Sequence, residues 1–575
     1  MLKLYRYLKP FTFSIVSIVM LVFMLVMSEL YLPTLMSDIV DIGIVKGDTA
    51  YIIRTGAYML LITALGTLCS IGVSFLASKT AVGFGHLLRQ QVFARVESFS
   101  LQEFNQFGAA TLINRTTNDI TQMQTLTFMI MRMMFMAPLM CIGGIIMAVS
   151  KDPPLSLVMA VAVPLIAGLI FLILNQAIPL FRLMQIKLDK VNLVLRENLM
   201  GIRVIRAFDR IEWEQRRFDL ANSDLTENAI RVNKLMAGMM PSMMLVMNFT
   251  LIAIIWFGSI RIDNGGMQVG SLMAFIQYAM QIMISLLIFS MMFIMVPRAS
   301  ASAVRINEIL ETTPRIIDPI PAKSPPTRRG HLEFNDVTFS FPGAEEPAIS
   351  HICFQANPGE VTAIIGSTGS GKTALVSLIP RFYDVDSGAV KVDGIDVRDL
   401  TQEDLRSRIG FVPQKSVLFS GTIAENIRFG KQNASDEEIL QAALTAQAAE
   451  FISEMQDGLA SQIEQGGINV SGGQKQRLSI ARALVRQPEI LIFDDSFSAL
   501  DFKTDAKLRA ALRKNTINST VLIIAQRVST VMDADQIIVM NDGQIAGMGT
   551  HQELMGSRSV YREIVLSQLS EEELA

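Results

Sequence analysis

The chain is 575 residues long, half of them hydrophobic and only 18% charged, with a formal net charge of −3. So few charges exclude a wholly soluble enzyme of several ordinary domains, while the ordinary Gly and Pro content and the high apolar content exclude collagen, coiled-coil and disordered classes. The charge is unevenly spread: residues 1–320 carry 26 Lys/Arg against 20 Asp/Glu, and residues 321–575 carry 24 against 33, so two regions with different surroundings are joined and neither has the basic excess of a nucleic-acid-binding face.

In chain order, apolar runs long enough to cross a hydrocarbon core come first, near Phe13–Leu32, Tyr58–Ser78, Met133–Ser150, Leu155–Leu174, Pro241–Ile260 and Leu272–Val296. Six spans put both termini on one side. Lys3, Arg6 and Lys9 precede the first span and eleven Lys/Arg lie from Arg182 to Lys234, whereas connections 37–57, 151–154 and 261–270 are short and together hold only four Lys/Arg. This asymmetry predicts cytoplasmic termini in a plasma membrane. The first span is too long, and lacks the small-residue cleavage pattern, for a removable signal peptide. Connections 79–127 and 176–234 keep helical periodicity with few Gly or Pro, so the spans are expected to continue into the cytoplasm as a stalk, reversing at Phe104–Thr111 and Arg206–Trp213.

Within the spans, Arg132 reads either as an interfacial side chain reaching headgroups or as a charge facing a water-filled cavity. Methionines cluster at Met239, Met240, Met243, Met244 and Met247, and at Met280, Met283, Met291, Met292 and Met295. They read as helix-packing filler or as a flexible thioether surface for dissimilar apolar ligands. Cys69, Cys141 and Cys353 have no metal-ligand spacing and read as buried thiols, and His86, His331, His351 and His551 are equally scattered, so no zinc site is expected.

A helical segment through Glu311 gives way to a Pro-rich stretch, which sets a division into 1–311, a linker 312–329 and a second domain 330–575. In that domain strand-like runs such as Leu332–Phe341, Val361–Ile365 and Glu489–Phe493 alternate with helical ones, an α/β pattern. Gly366, Ser367, Thr368, Gly369, Ser370, Gly371, Lys372 and Thr373 fit GxxxxGK[ST] after an apolar strand and before a helix. Such a loop turns backbone N–H groups toward phosphate oxygens; Lys372 would reach the terminal phosphates and Thr373 would ligate Mg²⁺. Ile490–Asp494 is an apolar strand ending in a carboxylate that can hold the same ion. Between them, Ser471, Gly472, Gly473 and Gln474 open a helix and offer a second anion nest, which in one chain is surplus and so points to a second copy meeting the first head to tail.

These residues resemble an ABC exporter half-transporter over essentially the whole chain: six spans with long cytoplasmic extensions, then a P-loop nucleotide-binding domain. The matches are the Walker A loop, Gln414 of the Q-loop, the signature Ser471–Gln474, the Walker B Asp494 and the D-loop Ser498–Asp501. The resemblance implies ATP and Mg²⁺ as cofactors, Thr373, Gln414 and Asp494 around the metal, and Phe341 where an aromatic stacks on adenine.

Two positions depart from that pattern. Asp495 follows Asp494 where the family has a catalytic Glu, and Gln526 stands where it has a switch His. Aspartate is a methylene shorter, and a misplacement of about 1 Å can cost on the order of a hundredfold in rate; an amide carries neither proton nor charge. The expectation is the degenerate-site member of a bacterial heterodimeric multidrug-type exporter. A homologous partner would supply the Glu and His, this chain's signature would complete the partner's site, membrane lipid would surround the spans, and the cargo would be small amphipathic molecules. A dedicated lipid or peptide exporter, a homodimer, and a nucleotide-gated channel or regulator are the alternatives.

Overall fold

The computed structural model describes residues 1–323, 329–557 and 560–568. Part of the Pro-rich linker, 324–328, lies outside the described residues. The chain forms two compact units, one of Met1–Glu97 with Ala109–Thr312 and one of Ser98–Gly108 with Thr313–Ala575.

In the first unit, among the described residues, six helices are long and apolar enough to cross a membrane: Lys3–Ile44, Thr49–Glu97, Ala109–Lys151, Ser156–Ala207, Ile211–Asp263 and Val269–Glu311. Each covers one of the expected spans, short only of Leu155 in the fourth, and runs well beyond it, because the polar flanks keep helix-forming residues. The region 37–57, expected as a connection, is mostly helical. Its Ile and Val residues carry the first helix through a wide turn at Ile39–Ile44, and the chain reverses only at Gly47 and Asp48. Asp41 ties that end to the sixth helix, its Oδ1 accepting from Gly270 N at 2.6 Å.

Small residues set the helix register. A Cβ on Gly66 would meet Ser28 Oγ at 3.2 Å, and one on Gly143 would meet Leu30 Cδ1 at 2.4 Å. Tyr278, fully buried, donates to Leu30 O at 3.0 Å. Between the third and sixth helices, buried Asp119 receives Arg305 through both oxygens and Ser302 Oγ at 2.9 Å. Of the clustered methionines, Met239, Met243, Met283 and Met292 are buried, while Met240, Met244 and Met280 are exposed. The side chain of Met291 lies outside the described residues. Arg132 is exposed, in a wide helical turn at Ile130–Met134.

The second unit holds two main sheets. The smaller is antiparallel, in the order β2-β1-β4-β5, from β1 (Leu332–Phe339), β2 (Ile349–Ala356), β4 (Ser387–Val392) and β5 (Ile395–Asp396). The larger runs β12-β11-β3-β10-β9-β6, from β3 (Val361–Gly366), β6 (Ile409–Val412), β9 (Ile490–Asp494), β10 (Thr520–Ile524), β11 (Gln536–Asn541) and β12 (Gln544–Gly549). Only β12 is antiparallel to its neighbour there. Strands β9 and β10 are buried along their whole length, as both-face-covered parallel strands must be, which is why they read as unbroken apolar runs. A ribbon of β7 (Gly421–Thr422) and β8 (Gln462–Ile463) completes the strands.

Cys69 is buried and Cys141 half-buried, but Cys353 is exposed, which corrects the expectation of three buried thiols. Alternation explains it: on β2, Ile352 and Phe354 face the core, so Cys353 between them faces out.

Candidate functional site

Four neighbouring parallel strands end together. Ile524 of β10 sits opposite Ile364 of β3 and Asp494 of β9, and Val412 of β6 opposite Phe493, so the residues just past β3, β10, β9 and β6 gather at one edge. These are the glycine-rich loop, Gln526, Asp495 and Gln414. The carboxyl ends of parallel strands are where such sheets place ligands.

The loop Gly366–Thr373 needs its glycines. A Cβ on Gly366 would lie 2.2 Å from Met540 O, and Gly371 adopts φ +95, where its Cβ would lie 2.6 Å from Ala348 O. Ser367, Thr368 and Gly369 are exposed and Ser370 is buried. Lys372 opens the helix Lys372–Leu378, and its Nζ donates back to Gly366 O at 2.9 Å, Ser367 O at 2.7 Å and Ser370 Oγ at 3.3 Å. Burial lowers its pKa, opposed by the charges of Asp495 and Asp494. Thr373 Oγ1 donates to Asp494 Oδ1 at 3.2 Å, and burial raises the pKa of that carboxyl. The loop thus brings one ammonium beside the oxygens of Thr373 and Asp494.

Asp495 has φ 47, a left-handed conformation that few non-glycine residues adopt. Its N–H donates to Ile524 O at 3.1 Å, extending the ladder by one step. Gln414 Nε2 and Gln526 Nε2 both donate to Asp495 Oδ2, at 3.2 Å and 3.0 Å. The two amides thus clamp one oxygen of a carboxylate that is itself 9% exposed.

Among the described residues, no hydrogen bond or ring contact links Phe341 or Ser471–Gln474 to this network. Phe341 is 42% exposed and meets Tyr383 edge-on, with centroids 5.6 Å apart. Ser471 caps the helix Gly472–Leu484 in a reciprocal box, in which Gln474 N donates to Ser471 Oγ at 3.3 Å and Ser471 N to Gln474 Oε1 at 2.8 Å. Gln474 is therefore engaged in holding the cap. Gly472 faces open space, and Ser471 and Gly472 are exposed. Asp501 caps the next long helix by accepting from Thr504 N at 2.9 Å, which lowers its pKa.

Tyr383 escaped the sequence reading. Its hydroxyl accepts a long hydrogen bond, 3.5 Å, from Asn105 Nδ2 of the short helix Leu101–Phe107, which belongs to the same compact unit. No motif marks it, and the signal available was only its aromatic type beyond the glycine-rich loop.

Residues 15–286 match the ABC transporter transmembrane region and residues 349–498 the ABC transporter family model. An uncharacterized ABC transporter ATP-binding protein of Mycobacterium tuberculosis is 45% identical over 98% of this chain and 97% of its own length. The chain belongs to the ABC transporter family. It is a multi-pass membrane protein and an ATP-hydrolysing transporter. An ATP-dependent lipid A-core flippase of Chromobacterium violaceum is 31% identical, covering 95% of this ABC transporter and 93% of the flippase. Among solved structures, a bacterial Atm1-family ABC exporter with ATP bound superposes with a TM-score of 0.83 at 24% identity, over 97% of this chain and 99% of that one, which establishes the exporter fold.

Proposed function

We propose that this chain is one half of a heterodimeric ABC exporter for amphipathic small molecules, and that its own Walker site binds ATP but hydrolyses it poorly. The observation that carries this reading is the clamp on Asp495. A residue that activates water needs a free carboxylate oxygen in reach of the attacking position. Here the side chain is a methylene shorter than glutamate, and Oδ2 is held by Gln414 and Gln526, which fixes the carboxylate's orientation and leaves Oδ1 alone to reach toward the water.

The rest of the site remains suited to binding. Walker A Gly366–Thr373 would cradle the phosphates, Lys372 would turn from its own loop carbonyls to the terminal phosphates, and Phe341 would offer its exposed face to adenine. Thr373 and Asp494, with Gln414 beside them, form an oxygen-rich donor set that fits Mg²⁺; the ion would neutralise phosphate charge there. The exposed, capped helix start Ser471–Gly473 would lie opposite the Walker motifs of a homologous partner bearing the catalytic Glu and switch His. ATP at both composite sites would favour the closed arrangement by binding it better than the open one. Hydrolysis at the partner's site would reset it.

The basic cytoplasmic flanks support an orientation with both termini and the ATPase half inside a bacterial plasma membrane. That one relative is named as a lipid A-core flippase supports an amphipathic cargo.

The test is ATPase activity of the purified chain alone and after co-expression with a homologous half-transporter encoded beside it. Low activity alone, robust activity together, and loss on changing the partner's catalytic Glu are expected. Robust activity of the chain alone would overturn the assignment in favour of a homodimer.

A further inference from the structure

Between Lys9 and Asp38 the first membrane helix carries a single charged residue, Glu29. Its neighbours place it inside the apolar layer: Gly66 lies against Ser28, Gly143 against Leu30, and Gly144 against Ile282. Those partners belong to the apolar stretches of the second, third and sixth helices. Gln281 Nε2 donates to the backbone oxygen of Glu29 at 3.3 Å, yet no hydrogen bond or ion pair reaches the carboxylate among the described residues. An ionisable group in a membrane span without a partner is expensive to keep and marks a functional position.

The carboxylate borders a cavity of about 370 Å³ between the first and second helices, shared with Leu25, Ser28, Thr67 and Ile71. Ser28 Oγ donates to Ile62 O at 2.9 Å and Thr67 Oγ1 to Thr63 O at 2.8 Å. With their protons engaged by helix carbonyls, both hydroxyls have only lone pairs to offer a ligand. Thr63 and Ser70 line the cavity as well, so it presents one carboxylate among hydroxyls and apolar side chains.

We propose that this cleft recognises the ammonium head of a cationic amphipath, with Glu29 as its counter-charge. This deepens, and rests on, the reading of the chain as an exporter of amphipathic molecules. An anion would meet repulsion from Glu29, and a neutral body would gain apolar and hydroxyl contacts without the attraction of opposite charge. The ammonium can belong to a free amine-bearing molecule or to an aminolipid headgroup.

The experiment uses the intact transporter in phosphatidylcholine nanodiscs, with equilibrium binding read by fluorescence anisotropy. The probes are rhodamine 6G, anionic 8-anilinonaphthalene-1-sulfonate and acyl-labelled phosphatidylethanolamine. Glu29→Gln should weaken rhodamine 6G about 10-fold and leave the anion within about 2-fold, and Glu29→Asp should recover most of the loss. Thr67→Val, which removes an acceptor without touching the charge, should weaken the cation about 3-fold and serves if Glu29→Gln elutes as aggregate. Unchanged rhodamine 6G affinity in the soluble variants overturns the site while leaving amphipath export standing. Glu29-dependent binding of the aminolipid, with no rhodamine 6G binding, keeps the site and assigns its ligand to lipid while removing the small-molecule reading. Failure of the wild type to bind either rhodamine 6G or the aminolipid overturns both.

Discussion

Gln526 Nε2 donates to Asp495 Oδ2 over 3.0 Å, so the two residues that depart from the family pattern are bonded to each other. A histidine at 526 would present a ring nitrogen on a shorter arm, and a glutamate at 495 would push its carboxylate a methylene further toward the water. The substitutions fit as a pair, which makes their effects non-additive.

The first prediction concerns that pair. Asp495→Glu alone should raise hydrolysis at this chain's site less than about 2-fold, because Gln526 and Gln414 still engage the carboxylate and no cationic switch residue is present. Asp495→Glu with Gln526→His should raise it at least about 10-fold. Single-turnover hydrolysis in a heterodimer whose partner lacks its catalytic Glu measures this site alone; full activity in the single variant would remove the clamp as the explanation.

The signature serine separates capping from recognition. Ser471→Ala removes the cap and should lower stability by about 1 kcal/mol. Ser471→Asp restores a good cap, yet places a negative charge where a phosphate is to be met. It should therefore keep the thermal midpoint within a degree or two of the native one while abolishing hydrolysis at the partner's site. Activity in the aspartate variant would mean that this helix start meets no phosphate.

The Asp119 side chain is 4% exposed and depends on Arg305 for its counter-charge. Arg305→Ala strands the carboxylate and should cost about 3–5 kcal/mol, whereas Asp119→Asn with Arg305→Gln should recover most of that loss. Urea midpoints of the three proteins in detergent provide the check. Equal destabilisation of the single and double variants would show that packing, not charge, holds the two helices.

Alkaline pH offers a separate handle on the ATPase half. Tyr561 is fully buried, with its hydroxyl 2.7 Å from His551 Nδ1, and burial pushes its phenol up to about 12. The folded state thus favours the protonated phenol. Its contribution is complete below the ordinary value near 10 and is lost as pH rises through about 12. Tyr561→Phe should flatten the fall of the urea midpoint across that window, and an unchanged slope would show that the phenol does not govern it.

What could be read from the sequence divides along physical lines. Membrane helices announced themselves because apolar length is a one-dimensional property, and the glycine-rich loop did so because a phosphate cup needs fixed residue types at fixed spacing. Gln414, Asp495 and Gln526 could each be placed past a strand, but their sharing of one oxygen depends on the strand order β3-β10-β9-β6, which no linear pattern contains. Cys353 was misjudged because an apolar neighbourhood on β2 hides the alternation of faces.

The ATPase unit takes in Ser98–Gly108 as well as everything from Thr313 onward, with Asn105 against Tyr383 and Gln102 Oε1 accepting from Arg315 Nη1 at 3.4 Å. Its sheets are contiguous in sequence, but its surface is not. A protein shortened to begin at Thr313 would keep every phosphate-facing motif and still be an amputated unit, exposing at Tyr383 and Arg315 what the intact chain covers. Conversely, a short helix grafted in at 98–108 from a relative would be judged first by the ATPase half, not by the membrane helices on either side of it in the sequence.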